Sequence, residues 1–335
     1  MDEPKLRVAG EHNSISDVEG IKVGNYTDLD ILSGVTVVLP DEACICGAEV
    51  RGGAPGTREI ALLDPVNLVE KVNAVVLSGG SAFGLDAASG VMRYLEEIGK
   101  GYETRDGVKV PIVPAAIIYD LKRGKIEGKM DAASGYSACV DANQSFIMGN
   151  TGAGTGAIAG GIKGGLGSAS EVLPNGLTIG ALAIVNSAGH VADPLHGGLY
   201  GDHLELSGEF HLRRRLKVDA SVLPTMISKL MESTVLGVVA TDVNLSKAEA
   251  TRVAMMAHDG VARAVYPSHT LFDGDTVFSL ATGEKKILGN RARLVSTLGA
   301  ASADVLARAI IRGVLSANSI GEIKSYKDLF PQAFT

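Results

Sequence analysis

The sequence predicts a single α/β domain in which helices and sheets are stacked in layers. Apolar runs with strand-like alternation occur between segments of helical period, without the regular strand–helix–strand order of a doubly wound sheet. Neither an internal repeat nor a polar linker divides the 335 residues. The composition, 46% hydrophobic and 21% charged, is that of a globular protein with a sizeable core.

The first half of the chain predicts mainly strands joined by glycine-rich turns. The expected strands cover residues 20–24, 34–39, 43–50, 74–78, 110–119 and 177–186. Asp64 followed by Pro65 is typical of an N-cap and a first-turn proline, which predicts a helix to about residue 72. Helical spacing predicts a second helix over residues 85–99. The glycines of residues 79–84 and 149–167 predict tight turns and loops lined by backbone.

The second half predicts three helices and two strands. The expected helices cover residues 222–231, 246–265 and 296–317, and the expected strands cover residues 234–241 and 275–281. The middle helix has the clearest start signal, because Ser246 and Glu249 have the spacing of a capping box.

Charge and composition exclude several classes of partner. The net charge is −7 with no long basic run, which disfavours nucleic acid and anionic membranes. Aromatic residues make up 4% and tryptophan is absent, so base-stacking platforms are not expected. No 18-residue apolar run predicts a membrane span, and the N-terminus lacks the apolar stretch of a signal peptide. Three cysteines, an odd number, favour a reducing cytoplasm over a disulfide framework.

Two glycine-rich motifs offer weak functional signals. Residues 152–157 fit the dinucleotide pattern G-x-G-x-x-A, but the glycines that follow disfavour the helix this pattern requires. Ser81 lies in a strand-to-helix turn similar to a nucleophile elbow, but Phe83 replaces the last glycine of that motif. A turn whose amides line a site is the favoured interpretation of the second motif. None of the seven histidines has zinc-ligand spacing, so no metal is expected.

Two carboxylates and a threonine are candidates for a different chemistry, although the Asp-Gly pair by itself favours a simple turn. Asp273 and Asp275 would point to the same side of an extended segment, where their like charges need compensation. Thr234 opens a predicted strand, which is usually a structural position. If the Ser233–Thr234 bond were cut, however, Thr234 would carry a hydroxyl nucleophile and a free α-amine. Because the pKa of an ordinary α-amine is about 7.7–8.0, that amine could serve as the base without any histidine.

Several blocks in the right order make the whole chain resemble a known family. These blocks are residues 16–24, 50–59, 77–85, 152–156, 185–186, 238–242 and 272–276. They are similar to the self-processing L-aminopeptidase/D-esterase family, which is related to β-peptidyl aminopeptidases and to nylon-oligomer hydrolases. The resemblance implies a four-layer αββα sandwich of the N-terminal-nucleophile type. It also implies self-cleavage into an α subunit, residues 1–233, and a β subunit, residues 234–335.

The resemblance assigns expected roles to individual residues. Thr234 falls at the nucleophile position, with Ser233 before the cut, and Asn186 matches the asparagine that stabilises the oxyanion. The lysine expected near the nucleophile is Lys163. The family's α-amine-orienting carboxylates match Asp273 and Asp275, and the wall of the substrate pocket would include Tyr119 and Ser81.

The expected activity is therefore hydrolysis of a small peptide or amide through an acyl-enzyme, without a cofactor. An alternative is hydrolysis of ω-amino-acid (6-aminohexanoate, nylon) oligomers, because the Asp273/Asp275 spacing resembles that branch. A third possibility is acyl transfer of the ornithine-acetyltransferase type, since that enzyme has a related sandwich fold. A non-enzymatic nucleotide-binding module built on residues 152–156 is the last alternative. The family resemblance further implies a homo-oligomer, a tetramer of αβ units.

Overall fold

The computed structural model describes residues 7–213, 223, 232–286 and 289–334. Within these ranges the chain forms fifteen strands: β1 Ile21–Asp28, β2 Ser33–Pro40, β3 Cys44–Val50, β4 Thr57–Arg58, β5 Lys71–Val72, β6 Val75–Ser78, β7 Tyr102–Glu103, β8 Lys109–Val110, β9 Ala115–Ile117, β10 Ile158–Ala159, β11 Ile162–Lys163, β12 Gly165–Val172, β13 Thr178–Asn186, β14 Thr234–Val243 and β15 Thr276–Lys285.

All but the first of the α-helices in the same ranges begin at a side-chain N-cap. They are α1 Ala87–Glu97, α2 Ala132–Val140, α3 Lys247–Ala264, α4 Arg291–Ser316 and α5 Tyr326–Leu329. The predicted capping box at the start of α3 is confirmed, because the Ser246 hydroxyl accepts the Glu249 amide and the Glu249 carboxylate accepts the Ser246 amide. Asp131 caps α2 in the same reciprocal manner, and Asn290 caps α4.

Two large sheets form the centre of the molecule. The first has the strand order β1-β2-β6-β9-β4, and the second has the order β12-β13-β14-β15-β3-β5. In the second sheet all neighbours are antiparallel except β14 and β15, which run parallel. Parallel neighbours begin at the same edge of a sheet, so the starts of β14 and β15 lie side by side.

Three apolar clusters define four layers. The first fills the space between the two sheets and includes Leu77 from one sheet and Val238 from the other. A second cluster covers the opposite face of the six-stranded sheet with α3 and α4. The third covers the opposite face of the five-stranded sheet with α1 and α2. Because side chains alternate along a strand, each sheet has a core on both faces, and the order of layers is αββα.

Glycines bring the outer helices close to the sheets. A Cβ on Gly47 of β3 would lie 2.1 Å from the amide nitrogen of Thr251 in α3. A Cβ on Gly167 of β12 would lie 2.0 Å from the carbonyl oxygen of Ala309 in α4. No larger residue fits either position, which accounts for part of the high glycine content.

The long helix α4 is the only one in the described part of the chain that is long and apolar enough to cross a membrane. About three quarters of its most apolar stretch, 72%, is buried inside the fold. Leu306 and Ile310 are fully buried and belong to the cluster between α4 and the six-stranded sheet. Its apolar character therefore has a structural explanation as a core helix.

Some predicted elements are wrong or differ in extent. Residues 64–72 form turns and the short strand β5 instead of a helix, because Val66 and Leu68 are exposed and leave no apolar helical face. The strand expected over residues 110–119 is split into the end of β8 and β9, since prolines cannot donate to a sheet. The structure adds α2 and shows that residues 149–167 contain β10 and β11 as well as turns. Apart from residue 223, the helix expected at 222–231 lies outside the described residues.

Candidate active site

Strand order and register bring four of the predicted site residues to one edge of the six-stranded sheet. Thr234 is the first residue of β14, and its cross-strand partner is Asn186, the last residue of β13. The segment of Asp273 to Asp275 leads directly into β15, the parallel neighbour of β14. The end of β13 and the starts of β14 and β15 therefore lie together beside the Thr234 hydroxyl.

The Thr234 hydroxyl lies against the carbonyl group that precedes it. Its Oγ1 makes a very short contact with the carbonyl oxygen of Ser233, to which it donates. The amide of Gly274 donates to the same carbonyl oxygen at 2.9 Å and approaches Oγ1 at 3.2 Å. Thr234 is 3% exposed, so this group of atoms is shielded from water.

Gly274 must be a glycine for this approach to occur. An added Cβ would lie 2.8 Å from Thr234 Oγ1 and 2.8 Å from the carbonyl oxygen of Ala54. The Ala54 segment packs on the other side of the turn, where the Ala54 amide donates to the Asp273 carbonyl oxygen at 2.8 Å. The glycine-rich run before β4 thus supports the turn that holds the Ser233 carbonyl.

Asp273 is held by hydrogen bonds from two neighbouring loops. Its Oδ2 accepts the amide of Thr270 at 2.9 Å and the hydroxyl of Thr270 at 2.6 Å, and its Oδ1 accepts the amide of Ala188 at 3.3 Å. Burial, reinforced by the negative charge of Asp275, raises the pKa of Asp273 above its usual range. The repulsion expected between the two carboxylates is therefore present, and donors compensate it in part.

Asp275 bridges β14 and the preceding loop. Its Oδ1 accepts the amide of Val235, the residue after Thr234, at 2.7 Å. Its Oδ2 accepts the amide of His269 at 3.2 Å and contacts the Nδ1 atom of the same residue at 2.6 Å. Asp275 is 1% exposed. Its hydrogen bonds fix the carboxylate beside the amide of Val235, which directly follows Thr234.

The side chain of Asn186 is fully buried and oriented by three groups. Its Oδ1 accepts Arg123 at 2.7 Å and the Ile158 amide at 3.0 Å. Its Nδ2 donates to the carbonyl oxygen of Tyr119 at 3.3 Å. The Nδ2 atom of Asn186 carries two hydrogens, and the hydrogen bonds in the described part of the chain use one of them.

Lys163 lies in the glycine-rich segment and stabilises it. Its Nζ donates to three carbonyl oxygens, those of Gly154 at 3.0 Å, Ala157 at 2.9 Å and Gly164 at 2.8 Å. Burial lowers the pKa of Lys163 to about 7; the charge of Arg123 acts in the same direction and that of Asp120 opposes it. All three donors are thus used on backbone, and none of the described hydrogen bonds joins this ammonium group to Thr234.

Of the two predicted wall residues, Tyr119 contacts the Asn186 side chain directly and Ser81 lies in a neighbouring turn. Tyr119 is half-buried, and its carbonyl oxygen accepts the Asn186 side chain. Ser81 is half-buried with a φ of +56°, and its amide donates to Ile118 at 3.0 Å. The adjacent amide of Gly80 donates to the buried Asp120 carboxylate at 2.6 Å. Ser81 therefore belongs to a turn next to Tyr119, and its place in the wall of a substrate pocket stays a prediction.

Arg123, His269 and the Gly274 amide are site groups that the sequence did not single out. Arg123 follows the predicted strand in a polar loop without any motif, and its guanidinium contacts both Asn186 and the Gly156 carbonyl oxygen. His269 precedes Asp275 by six residues, and this spacing matches no metal-ligand motif. A backbone amide gives no residue-type signal, although the Asp-Gly-Asp sequence marked its position.

The dinucleotide pattern does not have the structure that such a site requires. Residues Gly152–Gly154 form a 3₁₀ turn, and the strand pair β10–β11 follows where the pattern needs a helix. In the described ranges no group of three or more His, Cys, Asp or Glu residues is placed to hold a metal ion.

Comparisons with known proteins find similar sequences along nearly the whole chain. The sequence profile of Peptidase family S58 matches residues 13–327. An uncharacterized aminopeptidase of Mycobacterium tuberculosis is 46% identical, over 96% of this chain and 99% of the relative. A 6-aminohexanoate-oligomer endohydrolase of a Kocuria species is 28% identical, over 91% of this chain and 87% of the relative.

Solved structures confirm the predicted fold. The L-aminopeptidase D-Ala-esterase/amidase of Ochrobactrum anthropi, described as a variant of the Ntn hydrolase fold, superposes with a TM-score of 0.73 at 21% identity, over 99% of this chain and 98% of the other. A β-aminopeptidase of a Burkholderia species gives a TM-score of 0.70 at 21% identity, over 99% and 97%. The αββα sandwich of the N-terminal-nucleophile type, predicted from the sequence, is thus the fold of this chain.

Proposed function

Because this chain belongs to Peptidase family S58, and is thus a hydrolase of peptide or amide bonds, we propose that it cuts itself before Thr234 and then uses that residue as nucleophile. One observation carries the proposal above all others. The Thr234 hydroxyl, the Ser233 carbonyl and the Gly274 amide are already in mutual contact in the uncut chain. These are the nucleophile, the electrophile and an oxyanion donor that an intramolecular acyl shift requires.

The self-cleavage begins with attack of Thr234 Oγ1 on the carbonyl carbon of Ser233. The C–N bond of the peptide breaks, the hydroxyl proton ends on the released nitrogen, and an ester forms at Thr234. The Gly274 amide donates to the oxygen that becomes negative in the transition state. Water then hydrolyses the ester, which leaves a carboxylate on Ser233 and frees the hydroxyl of Thr234 beside the α-amine that the first step released.

In later turnovers the new α-amine serves as base for the hydroxyl. Since the pKa of an ordinary α-amine is about 7.7–8.0, it can accept the hydroxyl proton near neutral pH and pass it to the leaving amine. Asp275 Oδ1 lies 2.7 Å from the next amide in the strand, which supports a role in orienting this amine. Asn186 offers its remaining amide hydrogen to the substrate oxyanion. Water releases the acid from the acyl-enzyme, and this sequence needs no cofactor.

Replacement of the threonine tests this proposal directly. Thr234→Ala removes the hydroxyl and is expected to give one uncut chain without activity, whereas Thr234→Ser keeps the hydroxyl and is expected to be cut. Intact-mass measurement should find fragments 1–233 and 234–335 in the wild-type protein. An uncut Thr234→Ala chain with full activity would refute the assignment, and N-terminal sequencing of the smaller fragment would locate any other cut.

The substrate is proposed to be a small peptide or a linear amide. Similarity to an aminopeptidase at 46% identity favours peptides. The paired carboxylates, together with the similarity to 6-aminohexanoate-oligomer endohydrolases, favour ω-amino-acid oligomers as the second candidate. Assays of short peptides beside linear 6-aminohexanoate oligomers distinguish the two. Assembly into a tetramer of αβ units and a cytoplasmic location stay predictions.

A further inference from the structure

Two nitrogen atoms of His269 contact the same oxygen of the Asp275 carboxylate. The His269 Nδ1 atom lies 2.6 Å and its amide nitrogen 3.2 Å from Asp275 Oδ2. The opposite oxygen, Oδ1, faces β14 and accepts the Val235 amide. The carboxylate is thus fixed from both sides, and the imidazole supplies the shorter of the two contacts to Oδ2.

The imidazole is itself held in an unusual position. His269 has a φ of +57°, a left-handed conformation that few residues with a side chain adopt. Its ring packs against the ring of His258, with centroids 5.0 Å apart and planes at 73°. His258 is fully buried, and its Nε2 lies 3.0 Å from the carbonyl oxygen of Glu49. Residues held in sparsely populated conformations by several neighbours often belong to functional sites.

We infer that His269 is a positioning residue, which fixes Asp275 beside Thr234 for amide hydrolysis; this inference rests on the proposed function. The two donors on Oδ2 keep Oδ1 directed at the start of β14. Without the imidazole the carboxylate can rotate about its Cβ–Cγ bond, and Oδ1 then leaves the position from which it orients the α-amine of Thr234. Small displacements of a group that aligns a nucleophile lower the rate of the chemical step.

His269 acts through Asp275 and does not touch the reacting atoms. Its Nδ1 is occupied by the carboxylate, and no hydrogen bond in the described part of the chain joins its ring to Thr234. Substitutions should therefore change kcat more than KM. Their effect should also disappear once Asp275 has lost its charge.

Three variants separate the hydrogen bond from the backbone strain. His269→Asn keeps a donor at the place of Nδ1 and tolerates the left-handed conformation. His269→Gln moves the donor one bond further away. His211→Gln is the matched control, because His211 is an exposed histidine with a φ of +53°. Each purified, cut protein is assayed for release of 4-nitroaniline from L-alanine 4-nitroanilide and of 6-aminohexanoate from its linear oligomers, with thermal unfolding in parallel.

The expected result is a fall in kcat of about 10-fold or more for His269→Gln with KM within about 3-fold, while His269→Asn stays within about 3-fold of wild type. His211→Gln should match wild type in kcat. In an Asp275→Asn background, His269→Gln should cause no further loss, since both changes remove the same interaction.

Two results would overturn the inference. One is wild-type kcat in His269→Gln. The other is an equal loss in the Asn and Gln variants that follows their thermal stability, which would make His269 purely structural. Thr234→Ala, assayed in the same series, tests the proposed function separately: activity in that variant refutes the nucleophile, whereas inactivity there with a fully active His269→Gln refutes only the positioning role.

Discussion

The Gly274 amide offers the sharpest test of the self-cleavage geometry. In Gly274→Ala the new Cβ would lie 2.8 Å from both Thr234 Oγ1 and the Ala54 carbonyl oxygen, whereas ordinary contact begins at 3.4 Å. Relief of both contacts requires a shift of about 0.6 Å in the turn. A shift of that size would lengthen the 2.9 Å hydrogen bond to Ser233 to about 3.5 Å, beyond the usual range for an N–H donor.

Loss of one oxyanion donor typically slows a reaction by about 10²–10³-fold, or roughly 3–4 kcal/mol. We therefore expect self-cleavage of Gly274→Ala to be slowed by about that factor. The rate can be measured as the cut fraction over time after a pulse of cell-free synthesis, with intact mass to locate the cut. Gly198→Ala is the matched control, because a Cβ there meets nothing within 4 Å. If Gly274→Ala is cut at the wild-type rate, the Gly274 amide is not the oxyanion donor.

Two further predictions concern the groups behind the site. Burial lowers the pKa of Lys163 in the folded chain to about 7, below the usual lysine value of 10.5. Between these two pH values the unfolded chain therefore binds more protons than the folded chain. The free energy of unfolding should rise with pH in this window, by at most about 1.4 kcal/mol per pH unit. Lys163→Met should remove this slope, as urea unfolding at several pH values would reveal. An unchanged slope would mean that burial does not lower the pKa of Lys163. A lysine at position 123 would end one bond short of Arg123 Nη1, the nitrogen that donates to both Asn186 Oδ1 and the Gly156 carbonyl oxygen. In Arg123→Lys we therefore expect kcat to fall by about 10-fold with little change in thermal stability, and unchanged kinetics would show that Asn186 needs no such support.

The layered fold was accessible from the sequence because it depends on repeated local signals. Each of these signals depends on residues that are close together in the sequence. Examples are the alternation of buried and outward residues in β1, the continuous apolar runs of β6 and β14, and the capping box of α3. The helix expected at Asp64 failed for the opposite reason. Its N-cap signal is local, but a helix also needs an apolar face to bury, and Val66 and Leu68 remain in water.

Candidate site residues were accessible only where a motif or a resemblance marked them. A threonine that opens a strand is ordinary, so Thr234 stood out through the family resemblance and not through its own sequence context. Asn186 faces Thr234 because of the register between β13 and β14, which is a property of the folded sheet. Arg123 enters the site from a loop whose course cannot be derived from its own residues, although its contacts with Asn186 are direct.

The site is built so that one strand start can serve two reactions, of which only the second has the α-amine of Thr234 as its base. Before the cut, the nitrogen of Thr234 is part of a peptide bond and cannot accept a proton, so the first reaction depends on the Gly274 amide and on the contact between hydroxyl and carbonyl. After the cut, the amine becomes the base, and Asn186 is the donor proposed for the substrate oxyanion.

The two reactions should therefore respond differently to substitutions. Gly274→Ala should slow self-cleavage more than it slows turnover by the fraction that has been cut. Asn186→Ala should do the reverse, because the Asn186 side chain has no hydrogen bond to the Ser233 carbonyl in the described part of the chain. Cut fraction over time and kcat per cut molecule measure the two rates separately. Equal losses of both rates in both variants would mean that a single oxyanion site serves both steps.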